Sequence, residues 1–169
     1  MPADPIQALF LCVFAVGVIV AGLYDITTFT IPNWLTGAIA VAFLPAAFAC
    51  HLTLGQFGLS AAVGSGALVL GVFMFAMNWI GGGDAKLLAG ASLWIGWPGV
   101  IQFMIVTGLA GGILAITLMA MRSVWLRRYA AAGPAWMNRL ATPGGAAPYG
   151  VAIAAGALVS FPSAALFGG

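Results

Sequence analysis

Long apolar runs alternate along this chain with short breaks of glycine, proline and polar residues, at a spacing that fits membrane-crossing helices. Such a helix needs about 20 mostly apolar residues. The pattern predicts spans near residues 6–24, 34–51, 57–80, 84–96, 98–121 and 147–167. The first is read as a retained helix and not a signal peptide. Met1 to Pro5 carries no lysine or arginine, Asp4 is acidic, and the run from Ile6 to Leu23 is long enough to span. The fourth is short. Trp94-Ile95-Gly96-Trp97-Pro98 ends it, which predicts tryptophans at the membrane interface and Pro98 at the start of the next helix. Gly64, Gly66 and Gly71 in the third span, and Gly108, Gly111 and Gly112 in the fifth, predict close helix packing. The expected fold class is all-α: a polytopic integral membrane protein of about six transmembrane helices. It is read as one membrane-embedded domain over residues 1–169, with no internal repeat and no appended soluble domain.

Composition agrees with lipid as the solvent. Hydrophobic residues are 63% of the chain, charged residues 5%, and the mean hydropathy is +1.14. A soluble domain would carry about a quarter charged residues. No basic stripe suits nucleic acid, so none is expected as a partner; the lipid bilayer is. Cys12 and Cys50 lie in apolar runs without Cys-x-x-Cys spacing, and His51 is the one histidine. A zinc site is not expected, and the cysteines read as buried structural thiols. Neither a metal nor an organic cofactor is implied.

Charge sets an expected orientation. Arg122, Arg127, Arg128 and Arg139 fall between the fifth and sixth spans, and Lys86 lies at the start of the fourth. With six spans, the connections at 25–33, 81–84 and 122–146 share one side, and all five basic residues lie on or next to it. The positive-inside rule makes that side the cytoplasm. Both termini and His51 would then face out. The 122–146 segment, with Trp125, Leu126, Tyr129, Trp136, Met137 and Leu140 among the arginines, reads as an interfacial amphipathic stretch or a topology determinant.

The candidate chemistry rests on Asp25 and Asp84, two of only three acidic residues. A carboxylate near lipid is costly to keep and marks a functional site by default. Asp25 ends the first span; Asp84 closes Gly81-Gly82-Gly83-Asp84 and opens the fourth. The second and third spans form a hairpin between them, which returns the chain to the side it left. Both carboxylates are thus expected at one membrane level although they are 59 positions apart. Each also has a plainer reading: Asp84 as a helix N-cap, Asp25 as a solvated border residue. Thr27, Thr28 and Thr30 with Pro32 predict a structured turn after Asp25, and Asn33 is expected to cap the second helix. Lys86, two positions past Asp84, is not expected to pair with it, because positions two apart on a helix point away from each other. Tyr149 could start the sixth helix or bring its hydroxyl near the carboxylates.

Three motifs in order carry a resemblance: Tyr24-Asp25 with Ile31-Pro32-Asn33, Gly81-Gly82-Gly83-Asp84-Ala85-Lys86-Leu87-Leu88, and Pro148-Tyr149-Gly150-Val151-Ala152-Ile153-Ala154-Ala155-Gly156. Together they closely resemble the type IV prepilin leader peptidases, and the short chain looks like the Flp/Tad pilus branch. The resemblance implies an aspartyl endopeptidase of the bacterial inner membrane, with Asp25 and Asp84 as its catalytic pair. Its partner would be a prepilin, whose short basic leader it removes at the cytoplasmic face, after a glycine and before the hydrophobic pilin helix. The pair would share one proton and activate a water. Two departures stand out. Ile-Thr-Thr-Phe-Thr follows Asp25 where many relatives are basic. The cysteine-bearing cytoplasmic domain of larger, N-methylating relatives is missing, so methyltransferase activity is not expected. Presenilin-like Gly-x-Gly-Asp proteases, and a small transporter or channel subunit with two coupling carboxylates, are the alternative readings.

Overall fold

A computed structural model describes residues 5–123, 138, 140–142, 145 and 147–164. The described residues form six α-helices and no strand: α1 (Pro5–Thr28), α2 (Asn33–Ala49), α3 (Leu54–Ala76), α4 (Gly82–Ile95), α5 (Gly99–Met121) and α6 (Tyr149–Ser160), followed by a 3₁₀ turn at Phe161–Ser163. The six expected spans are therefore present in order, as an all-helical polytopic membrane fold. Asp4 and most of the expected amphipathic stretch, including Trp125, Leu126, Arg127, Arg128, Tyr129, Trp136, Met137 and Arg139, lie outside the described residues.

Helix length alternates along the chain. α1, α3 and α5 have 24, 23 and 23 residues and are long and apolar enough to cross a membrane. α2, α4 and α6 have 17, 14 and 12. The ends explain the breaks. α1 stops where Phe29 turns left-handed (φ 58°) and its N–H donates to Asp25 O. α2 and α3 stop in Schellman turns at His51 (φ 53°) and Asn78 (φ 59°), with Leu52 N–H on Ala47 O and Trp79 N–H on Met74 O. α3 starts with a capping box in which Thr53 and Gln56 bond reciprocally.

The shortest spans make the centre. α4 packs against all five other helices, and nine of its 14 residues are buried, against four of 23 in α3 and in α5. Leu87, Ala91, Trp94 and Ile95 of α4 meet Phe14 and Val18 of α1, Ile39 and Phe43 of α2, and Ile153 and Ala157 of α6. The long helices turn apolar side chains such as Val69, Ile113 and Met119 outward, as lipid contact requires.

Antiparallel packing of α3 on α4 fixes their depth. A methyl at Gly71 would lie 3.0 Å from Ala85 Cα, and one at Gly64 would lie 3.3 Å from Leu93 Cα. With Gly71 level with the first turn of α4, α3 runs on by about 7 Å past it at 1.5 Å per residue.

Several expectations are corrected. Trp94 is not at an interface. It is fully buried, stacks on Phe14 and donates its indole N–H to Ile39 O at 2.7 Å; only Trp97 is exposed. Burial holds because that N–H has a partner. Gly66, Gly108 and Gly112 do not mediate packing, since a methyl there would meet nothing within 4 Å; Gly64, Gly71 and Gly111 do face neighbours. Cys12 is exposed and Cys50 half-buried, because an apolar thiol needs no shelter on a lipid-facing surface. Arg122 is not turned to headgroups: it donates to the carbonyls of Leu140 and Gly145, which tie the end of α5 to the approach of α6.

Candidate active site

Asp25 lies in the last turn of α1 and Asp84 in the first turn of α4, 4% and 5% exposed. They are the two acids among the described residues, and the fold brings them together. Asp25 Oδ2 accepts from the Gly150 N–H at the start of α6, at 2.6 Å. The two carboxylates lie close enough to interact electrostatically with each other. Three helix ends thus converge, one giving an orphan N–H that no helical partner satisfies.

Asp84 does not cap α4 from the N-cap position, which Gly81 holds. It occupies the third helical position, and its Oδ2 accepts from the Gly81 N–H at 3.0 Å. This is the returning arm of a capping box, favoured by the positive end of the helix dipole. Its Oδ1 is buried with no hydrogen-bond partner among the described residues. Buried polar atoms are nearly always paired, so an orphan carboxylate oxygen points to a reactant or a proton.

The Gly-x-Gly-Asp run has a steric reason at each glycine that matters. A methyl at Gly81 would meet Asp84 Oδ2 at 3.1 Å, and one at Gly83 would meet Ile31 Cβ at 3.0 Å and its carbonyl O at 3.2 Å. Gly82, at the variable position, faces only the ring of Phe75 at 3.5 Å. Gly150 is the tightest: a methyl would lie 2.8 Å from both Asp25 Oδ2 and Ile31 Cδ1.

α1 runs past its expected end through Thr28, so Asp25, Thr27 and Thr28 are helical and the turn begins at Phe29. Thr27 Oγ1 donates to Leu23 O at 2.6 Å, and Thr28 Oγ1 reaches Tyr24 O at 2.7 Å and Thr30 O at 2.9 Å. Asn33 does not cap α2. Pro32 is the N-cap residue, and Asn33 Oδ1 instead accepts from Lys86 Nζ at 2.7 Å. Tyr149 turns its ring against Gly111 of α5, where a methyl would meet Cε1 at 3.7 Å. The group that its segment supplies to the carboxylates is the neighbouring backbone N–H of Gly150. The sequence placed Ile31 and Gly150 inside its motifs but gave neither a role and singled out Tyr149 instead; a glycine in the first turn of a helix that follows Pro148 was the available signal.

Beside the site, Ile80, Leu88 and Tyr149 close one end of an apolar groove of about 410 Å³ between α3 and α5. Gly108 and Gly112 line its wall.

Residues 12–116, which hold both Asp25 and Asp84, match the model of the type IV leader peptidase family. Curated proteins and solved structures gave no match. With its all-helical membrane fold and a family match over most of its length, this chain belongs to the type IV leader peptidase family.

Proposed function

We propose that the protein is an aspartyl endopeptidase that removes the short basic leader of a prepilin of the Flp type, at the cytoplasmic face of a bacterial inner membrane. The observation that carries this reading is the pairing of two buried carboxylates, Asp25 held by the Gly150 N–H and Asp84 by the Gly81 N–H, with the other oxygen of Asp84 left unpaired among the described residues. Peptide hydrolysis by acid/base chemistry needs one group that takes a proton and one that gives it. Two adjacent buried carboxylates cannot easily both ionise, so the pair holds one proton between them. The ionised member deprotonates a water, and the protonated member polarises the scissile carbonyl. The proton belongs to the pair, and neither residue is assigned it alone.

The remaining features fit that chemistry. The Gly150 N–H holds Asp25 in place without competing as a base. The basic Lys86 and Arg122 near the same end favour a cytoplasmic location. Methyl transfer to the new pilin terminus is not part of the reading.

Inverted membrane vesicles, which present the cytoplasmic face, test it in one experiment. They should cleave an added synthetic prepilin peptide after the leader glycine, while sealed right-side-out vesicles should not. Asp25→Asn and Asp84→Asn should each abolish cleavage with expression and insertion unchanged. Full processing by either variant would sink the two-aspartate mechanism, and cleavage only by right-side-out vesicles would reverse the orientation.

A further inference from the structure

Ile31 bridges two parts of the site that no covalent link joins. It is 7% exposed, in the short connection from α1 to α2. Its Cβ and backbone lie over Gly83, in the first turn of α4, and its Cδ1 reaches the position beside Gly150, in the first turn of α6. One β-branched, rotationally stiff side chain therefore fills the interval between the turn that carries Asp84 and the turn whose N–H holds Asp25. Glycine at both 83 and 150 is what lets it fit.

The bond that closes this connection comes from two residues 53 positions apart: Lys86 Nζ donates to Asn33 Oδ1 at 2.7 Å. Asn33 is the first residue of α2, two past Ile31, and Lys86 is three past Gly83 on α4. The hydrogen bond thus straddles the contact of Ile31 with Gly83. Both partners are exposed, and Lys86 points away from Asp84 on its helix. An exposed hydrogen bond adds little to global stability, so its purpose is sought in geometry.

We propose that Ile31 is a spacer and the Asn33–Lys86 hydrogen bond a clasp that together set the separation of the two carboxylates. The inference rests on the reading of Asp25 and Asp84 as the catalytic pair. Asn33, Lys86 and Ile31 are positioning residues, which take no part in the proton transfers but hold the groups that do. Small misplacements of a catalytic group cost rate steeply, on the order of a hundred-fold for about 1 Å.

The test is a double-mutant cycle on the purified full-length enzyme with a synthetic prepilin peptide, reading kcat, KM and Tm. Asn33→Leu and Lys86→Met should each lower kcat about ten-fold or more, with KM and Tm little changed. The double variant should be no slower than the slower single, because the two residues act as one unit. Asn33→Asp, which keeps an acceptor, and Lys86→Arg, which keeps a donor, should recover most of kcat. Ile31→Ala should reproduce the kcat loss. Additive losses in the double variant, a loss confined to KM, a fall in Tm that accounts for the rate, or no loss at all would overturn the proposal. The two ideas fail separately. If Asp25→Asn or Asp84→Asn still cleaves, the catalytic pair is wrong; if both are dead while the clasp variants are normal, only the clasp is wrong.

Discussion

A single added methyl group separates the glycines of the site that are structural necessities from the one that is not. At Gly150 it would press on Asp25 Oδ2 and Ile31 Cδ1, both 2.8 Å away, and at Gly83 on the backbone of Ile31. At Gly82 it would only touch a flexible ring at 3.5 Å. Gly150→Ala and Gly83→Ala should therefore each reduce cleavage of a prepilin peptide by at least ten-fold, on the order expected for a displaced catalytic group. Gly82→Ala should keep most of the activity and, by removing backbone freedom from the unfolded chain, should not lower Tm. Equal activity of all three variants would contradict the packing described here. At this scale the sequence was legible where a rare residue type stood out. Two aspartates in an apolar chain could be found by their cost alone. The Gly150 N–H could not, because every residue but proline has a backbone N–H and only the fold decides where each one points. Ile31 stood in a motif but its role was illegible for a related reason: an isoleucine in a hydrophobic chain does not say what it packs against until its neighbours are known.

Among the elements, the contact of α3 with α4 decides where Asp84 lies. Gly71 and Gly64 let the two backbones meet directly, and in a membrane such close approach replaces the hydrophobic drive that lipid removes. Gly71→Leu should push α4 away from α3 and carry Asp84 with it, lowering both Tm and activity. Gly66→Leu lies on the same helix but faces open space, and should leave both close to the starting values. Thermal unfolding in detergent, paired with a cleavage assay, compares the two; similar losses in both would mean that bulk on α3, not its seam with α4, is what matters. The sequence marked six glycines of α3 and α5 alike, because small residues favour packing without saying which face is packed. Helix order was easy to read and helix ends were not. The threonines and Pro32 announced a break after Asp25, but α1 runs to Thr28, four residues beyond the expected end at 24, and turns only at Phe29, a residue type that seldom adopts a left-handed conformation. Trp94 was misplaced by a rule that holds for tryptophans at the membrane border and fails when the indole N–H finds a carbonyl inside the bundle.

For the molecule as a whole, a mean hydropathy of +1.14 was enough to identify lipid as the solvent, and the order of apolar runs was enough to count the helices. What composition could not express was how unequal they are: long helices of 23 and 24 residues beside short ones, with Asp25 on a long helix and Asp84 and Gly150 on short ones. That inequality has a consequence for the surrounding bilayer. At 1.5 Å per residue the 23- and 24-residue helices measure about 35 Å, while α4 and α6 measure about 21 and 18 Å. A hydrocarbon core is about 30 Å thick. The long helices can meet it by tilting and α4 is enclosed by the bundle, but where α2 and α6 reach the rim with Val41, Leu44, Leu158 and Val159, lipid must thin or water must enter. Mismatch of this kind costs a fraction of a kcal/mol per Å, which is small against folding but not against a twofold change in rate. Reconstituted into vesicles of graded acyl length, the enzyme should turn over fastest in the thinner membranes and slow steadily as the chains lengthen, with KM for a soluble peptide nearly constant. A rate indifferent to acyl length would mean that the protein rim, and not the lipid, absorbs the whole difference. If the rate does follow, the thickness of the host membrane becomes a control on the enzyme, exerted without any ligand.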